Sequence, residues 1–132
     1  MQLIPSFYQV LTKTGWVPLQ EALKGEPILT QGLEYKSIIS WGEVNHKLPL
    51  YEVETDSTLY FHSSMQLAVN NSIVSTKQLT KGHQLKKYGA NLPIRSIKKI
   101  EPRQLTLYSI SFKEETAVLL KLNETYFICV VK

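Results

Sequence analysis

Leu19-Gln20-Glu21-Ala22-Leu23-Lys24-Gly25-Glu26-Pro27-Ile28-Leu29 decides how this chain is read, because Thr76-Lys77-Gln78-Leu79-Thr80-Lys81-Gly82-His83-Gln84-Leu85-Lys86 repeats its pattern. Each segment offers residues for one helical turn, then a lysine and a glycine. Glycine ends such a turn cheaply because it tolerates a left-handed backbone. The apolar residue three positions later, Ile28 or Leu85, opens a strand. Two copies about half a chain apart predict a duplicated β fold with a pseudo-two-fold axis, in which Gly25 and Gly82 hold equivalent places.

Short strands surround both copies. Phe7-Tyr8-Gln9-Val10-Leu11 leads into a turn at Lys13-Thr14-Gly15, and Val17-Pro18 opens the first helical turn. Tyr35 to Val44 alternates, with Ile38, Ile39 and Trp41 as apolar anchors. The acidic turn Glu54-Thr55-Asp56-Ser57, between Val53 and Leu59, is a hairpin signal. Asn70-Asn71 is a second turn, since Asn accepts positive φ. Ile94, Ile97 and Ile100 lie in a basic strand that stops at Pro102, and Leu105 to Ile110 make the next. Ala117–Leu122 and Tyr126–Val131 form a closing hairpin around Asn123-Glu124. Tyr108, Ile110, Leu119, Phe127 and Val131 are expected on buried faces, with Cys129 beside Phe127 and Val131 by the two-residue period. The result is one all-β domain, residues 1–132, of about ten or more short strands with one or two helical turns.

Composition narrows the function classes. Of 132 residues, 43% are hydrophobic and 20% charged, as in a globular domain rather than a disordered chain. No apolar run reaches the ~20 residues that cross a bilayer, so no membrane partner is expected. The start, Met1-Gln2-Leu3-Ile4-Pro5-Ser6, lacks a secretory pattern, and the single cysteine excludes an internal disulfide. A cytoplasmic location, or a virion assembled in a host cytoplasm, is the expectation. His46, His62 and His83 have no metal-ligand spacing, and phosphate-loop and dinucleotide fingerprints are missing. No cofactor or metal is expected.

Charge divides the chain. Residues 1–66 carry four Lys/Arg and seven Asp/Glu; residues 67–132 carry eleven and four. Lys86, Lys87, Arg95, Lys98, Lys99 and Arg103 are the candidate site for an anionic partner. They gather on one side if the flanking segments pair as a hairpin across Gly89-Ala90-Asn91. Only Tyr88 interleaves them, which is little for a single-strand stacking platform.

In order and spacing the motifs resemble the Hint family, the hedgehog/intein self-splicing fold. Val10-Leu11-Thr12-Lys13-Thr14-Gly15 matches its opening strand, and Pro18-Leu19 through Thr30 its first helical turn and strand. Leu79 to Leu85 matches the second turn, Leu107-Tyr108-Ser109-Ile110-Ser111-Phe112 a later strand, and Asn123 to Val131 the closing strand. The resemblance implies a Cys or Ser nucleophile where this chain has Leu3 and Ile4. Ser6 is the nearest hydroxyl, two or three residues out of register. It also implies a Thr and a His that polarise the scissile peptide and protonate its amine. Those positions hold His62 and Met65, and Met carries no proton. Cys129, Val130, Val131 and Lys132 supply no Asn for cyclisation.

The leading expectation is therefore a catalytically inactive Hint-like module, not an enzyme. It would serve as a structural or protein-interaction subunit of a phage virion or other large assembly. The alternatives are residual self-processing through Ser6 and His62, and nucleic-acid binding by the basic half. His62 with Ser63 and Ser64 offers a base beside hydroxyls, but His62 and Ser64 share a face only if the strand continues through them.

Overall fold

A turn in which the Tyr8 N–H donates to the Pro5 carbonyl (3.4 Å) leads from β1 (Ile4–Pro5) into β2 (Gln9–Thr12). In the computed structural model, which describes residues 2–70, 72–87 and 90–132, β2 turns back on β3 (Gly15–Pro18). Gly15 takes φ 117 there, a backbone that a side chain resists. Pro18 precedes α1 (Leu19–Ala22), where its missing N–H costs nothing. Gly25 stops the turn at φ 97, and β4 (Ile28–Leu29) follows and pairs with both β2 and β5 (Tyr35–Lys36). Next come β6 (Ser40–Leu48), β7 (Tyr51–Glu54) and β8 (Thr58–Phe61), the last two a hairpin across the acidic turn.

The second half repeats this plan. A turn in which the Met65 N–H donates to the His62 carbonyl (3.0 Å) leads into β9 (Gln66–Val69), which pairs with β10 (Ser72–Ser75). The 3-10 turn η1 (Thr76–Gln78) follows, then β11 (Gln84–Lys87) and β12 (Ala90–Pro93). Gly25 and Gly82 are 57 positions apart (25 to 82), and the same shift carries β2 onto β9 and β3 onto β10. It carries the Thr12–Ile28 pairing onto Val69–Leu85. It also carries the bond from the Leu19 N–H to the Tyr8 carbonyl onto that from Thr76 to Met65, each 3.0 Å. Both glycine segments therefore stand in equivalent places, each ahead of a strand.

The chain closes with β13 (Ser96–Lys99), β14 (Arg103–Ser111), β15 (Thr116–Leu122) and β16 (Thr125–Val131). β15 and β16 form the expected hairpin, with Asn123 at φ 57, and lie at the centre of the large sheet. Its strand order, β12-β11-β9-β16-β15-β2-β4-β5, reads equivalently from either end. The small sheets β1-β14-β6 and β8-β7-β13 match in the same way: β6 of the first half pairs with β14 of the second, and β13 with β7.

The larger of two buried clusters fills the space between the sheets. Phe127 meets Tyr8 edge-on at 5.3 Å and Phe61 at 4.9 Å. Phe127, Cys129 and Val131 share that face, as the strand period requires. Leu119 is buried too, but with Ile128, Val130 and Ala68 on the opposite face, under Trp16 and Tyr126. Tyr108 and Ile110 are buried as expected.

Three details correct the sequence reading. Ile39 and Trp41 are not buried anchors: Ile39 is 65% exposed in the connector between β5 and β6 and Trp41 is exposed on β6, while Ile38 is buried. Ala90 and Asn91 already belong to β12, so the turn after β11 is not centred on Gly89-Ala90-Asn91. β13 leaves that hairpin and pairs with β7, with Lys98 across from Glu52. Asn71, Tyr88 and Gly89, on which part of the turn and stacking readings fell, lie outside the described residues, as does Met1.

Candidate functional site

β1 and β16 bring both ends of the described chain into one cleft of about 770 Å³, lined by Gln2, Ser64, Gln66, Val131 and Lys132. Its other wall is the β6–β14 pair, with Ser40, Ser109 and Ser111 beside Gly42. A Cβ on Gly42 would stand 3.0 Å from Ser109 Oγ, so a side chain there would push this hydroxyl from its place. Ser40 and Ser111, register partners, share a short hydroxyl–hydroxyl bond. Trp41 stands 51% exposed at the rim and packs edge-on against Tyr108 at 5.9 Å.

Gln2 is clamped in this cleft. Its Oε1 accepts from the Gln66 N–H (3.3 Å) and from Cys129 Sγ (3.7 Å), and its Nε2 donates to the Val130 carbonyl (2.6 Å). The next amide is held as well: the Leu3 N–H donates to Ser64 Oγ at 2.8 Å. Ser64 Oγ lies 2.7 Å from His62 Nδ1, which also accepts from the Ser64 N–H at 3.1 Å. Strand β8 ends at Phe61, so His62 and Ser64 do not meet on a strand face. The turn from His62 to Met65 brings them together instead.

That network sets the state of His62. Two donors point at Nδ1, so the imidazole is neutral with its proton on Nε2. Burial holds its pKa below the ordinary histidine value, and the Lys77 ammonium pushes the same way. Thr76 Oγ1 fixes the turn by donating to the His62 carbonyl at 2.9 Å. Met65 is wholly buried in the core. Burial pushes the Cys129 thiol up to about 12, so it is a packed thiol rather than a thiolate nucleophile. Ser6 donates its backbone N–H to the Thr106 carbonyl, and no hydrogen bond among the described residues links it to His62.

The six basic candidates fall in two neighbourhoods, because Lys98, Glu52 and Tyr60 are successive register partners and Arg103 lies over Tyr60. Lys86 and Lys87 are on β11, with Lys87 Nζ 5.9 Å from the centre of the Tyr126 ring. Lys98 and Lys99 are on β13 and Arg95 just before it; Lys98 pairs with Glu52 (3.2 Å) and Arg95 with Asp56 (3.7 Å). Arg103 opens β14 and lies over the Tyr60 ring at 6.0 Å. Among the described residues, no group of three or more His, Cys, Asp or Glu is placed to hold a metal ion.

Sequence reasoning singled out His62 and named Ser64 beside it. It missed Gln2 and Gln66, whose contacts span 64 and 128 positions and leave no local signature. It also missed the serines of the β6–β14 wall.

No protein-family model matches the sequence, and no curated protein sequence does. Solved structures do match. An intein-like domain from Clostridium thermocellum superposes with a TM-score of 0.80 at 16% identity, covering 100% of this chain and 99% of that one. The MchDnaB-1 intein gives 0.72 at 16% identity over 98% and 99%. A variant of the gp41-1 intein gives 0.74 at 14% over 100% of both. With its duplicated half-chains and exchanged strands, this chain has the intein-like Hint fold.

Proposed function

We propose that this Hint-fold domain does not splice or cleave itself and acts as a protein-interaction or structural module within a larger assembly. The observation that carries this reading is the environment of the Leu3 amide. Under the resemblance, this is the peptide that a splicing domain would break. Leu3 has no heteroatom to attack the preceding carbonyl. Ser64 Oγ accepts the amide hydrogen and donates its own hydroxyl hydrogen bond to Nδ1 of a neutral His62. For His62 to protonate a departing nitrogen, Nδ1 would have to carry a proton while two donors face it. Met65, at the position of the expected acid–base histidine, points into the core. The same hydrogen bonds that would polarise a scissile amide here anchor the chain.

An edge strand gives such a module a place to dock. β6 ends a small sheet, and a strand with one free side is a template for a partner strand. The alternative of self-processing through Ser6 meets a geometric obstacle: the Ser64–His62 pair holds the Leu3 amide, three residues upstream.

Intact mass of the purified chain after long incubation with a thiol tests this reading. The expected result is a single species at full length. Time-dependent loss of the segment before Leu3 or before Ser6 would overturn it, and suppression by Ser6→Ala would identify the nucleophile.

A further inference from the structure

A second pocket, of about 400 Å³, lies away from the chain termini between β8, the start of β14 and the end of β15. Leu50, Leu105 and Leu122 line it, with Phe7 and Tyr60 at one side and Arg103 at the mouth. Phe7 is 38% exposed although it meets the Tyr8 and Tyr60 rings at 5.0 and 6.2 Å. The Arg103 guanidinium lies over Tyr60, and no carboxylate among the described residues pairs with it. Arg95 and Lys98, by contrast, have acidic partners.

The wall that carries Tyr60 is fixed from behind. The buried Tyr8 hydroxyl accepts from the Tyr60 N–H (3.1 Å) and donates to the Tyr60 carbonyl (2.5 Å). Burial raises the Tyr8 pKa far above the ordinary phenol value, so the hydroxyl keeps the proton it donates. This closes the free backbone edge of β8 at Tyr60 and holds in place the strand that carries its ring.

We propose that this pocket binds a partner protein segment that presents a large apolar side chain next to an Asp or Glu. The apolar side chain enters between the three leucines and Phe7. The carboxylate meets Arg103, whose planar fork suits bidentate contact and whose guanidinium lies over the Tyr60 ring. The partner is a protein rather than a small molecule because the walls are open; a small ligand needs most of its surface enclosed, whereas an interface anchor needs one pocket. Nucleic acid fits worse. Phe7 and Tyr60 stand at 79° to each other, so they share no stacking face, and Arg103 already covers Tyr60.

The site rests on the interaction-module reading and specifies the partner's chemistry. Its probe is the blocked peptide acetyl-Gly-Ser-Leu-Phe-Glu-Gly-Ser-amide, titrated into labelled protein and followed by amide resonances. The expected result is saturable shifts around Phe7, Tyr60 and Leu105, with millimolar or tighter affinity. Replacing the peptide Glu by Gln, or Arg103→Ala in the protein, should weaken binding roughly tenfold, the scale of one charge-assisted contact. Arg103→Lys should restore only part of it. A dispersed spectrum for each variant shows that the fold is kept, as expected for an exposed side chain. No shifts at roughly 5 mM peptide, far weaker than any specific anchor, would overturn the proposal. So would equal binding of the Glu and Gln peptides, or tighter salt-sensitive binding of oligo-dT at the same residues. Self-cleavage in the mass experiment would instead remove the non-processing reading, without bearing on where the peptide sits.

Discussion

The two copies of the repeated unit, Pro5–Leu29 and His62–Lys86, share a backbone plan and differ in nearly all their chemistry. The shift of 57 positions carries the opening turn, the hairpin, the helical turn and the next strand from one to the other. It also carries Tyr8 onto Met65, both wholly buried. Tyr8 spends its hydroxyl on the Tyr60 backbone, while Met65 offers only a thioether to the core. Pro5 and Phe7 stand in the first copy where His62 and Ser64 hold the Leu3 amide in the second. A common frame of turn, glycine and apolar strand therefore tolerates two unrelated polar sites. Backbone hydrogen bonds and apolar burial specify the frame, and neither depends on which polar groups line its surface.

The largest expected difference between the copies is at Tyr8 and Met65. Tyr8→Phe strands the Tyr60 N–H and carbonyl, and losing partners for such groups costs about 1–3 kcal/mol. Met65→Leu exchanges similar volumes and should cost less than about 1.5 kcal/mol. Urea unfolding of both variants measures the contrast. If Met65→Leu proved the more damaging, Met65 would have a role beyond packing.

A smaller asymmetry separates the glycines. Gly25 sits at φ 97 with open space around its Cβ position, so Gly25→Ala should cost about 1–2 kcal/mol from backbone strain alone. Gly82 has no such φ, and a Cβ there would meet Thr80 Oγ1 at an ordinary 3.6 Å. Gly82→Ala should leave the denaturation midpoint nearly unchanged or raise it, because alanine restricts the unfolded chain. Equal losses at both positions would show that the second turn is as strained as the first.

The smallest effect belongs to His62. Burial, helped by Lys77, holds its pKa below 6.5, so the folded state binds fewer protons than the unfolded chain in the window beneath that value. Its contribution is present above pH 6.5 and is lost as pH falls through the folded pKa. Thermal midpoints measured downward from about pH 6.5 should fall more steeply for the parent than for His62→Gln. A steeper fall in the variant would mean that His62 is charged in the fold, and that the Ser64 relay is oriented the other way.

Much of the frame was legible in the sequence. The duplicated glycine segments, the acidic hairpin turn, the closing hairpin around Asn123 and the shared face of Phe127, Cys129 and Val131 all follow from local rules. Glycine and asparagine accept positive φ, and strand side chains alternate. The second buried face of the closing hairpin, with Leu119 and Ile128, was less clear. A strand apolar on both sides has no alternation to say which residues face which layer. His62 and Ser64 were visible as neighbours, but the hydrogen bond between them depends on a turn where a strand was the simpler reading.

By itself, then, the sequence determined the strand frame, its two-fold repetition and the residue types at Leu3 and Met65 on which the proposed function rests. Those are matters of residue type and spacing. The tertiary structure alone decided that Ser64 and His62 hold the Leu3 amide and that Gln2 is clamped by Gln66 and Val130. It alone set Lys86 and Lys87 apart from the basic residues about the β13-β7-β8 sheet, pairing Lys98 with Glu52 and leaving Arg103 over Tyr60 at an apolar pocket. The physical reason is range. Each of these contacts joins residues more than forty positions apart, and they meet only after the two half-chains have exchanged strands and closed on one core.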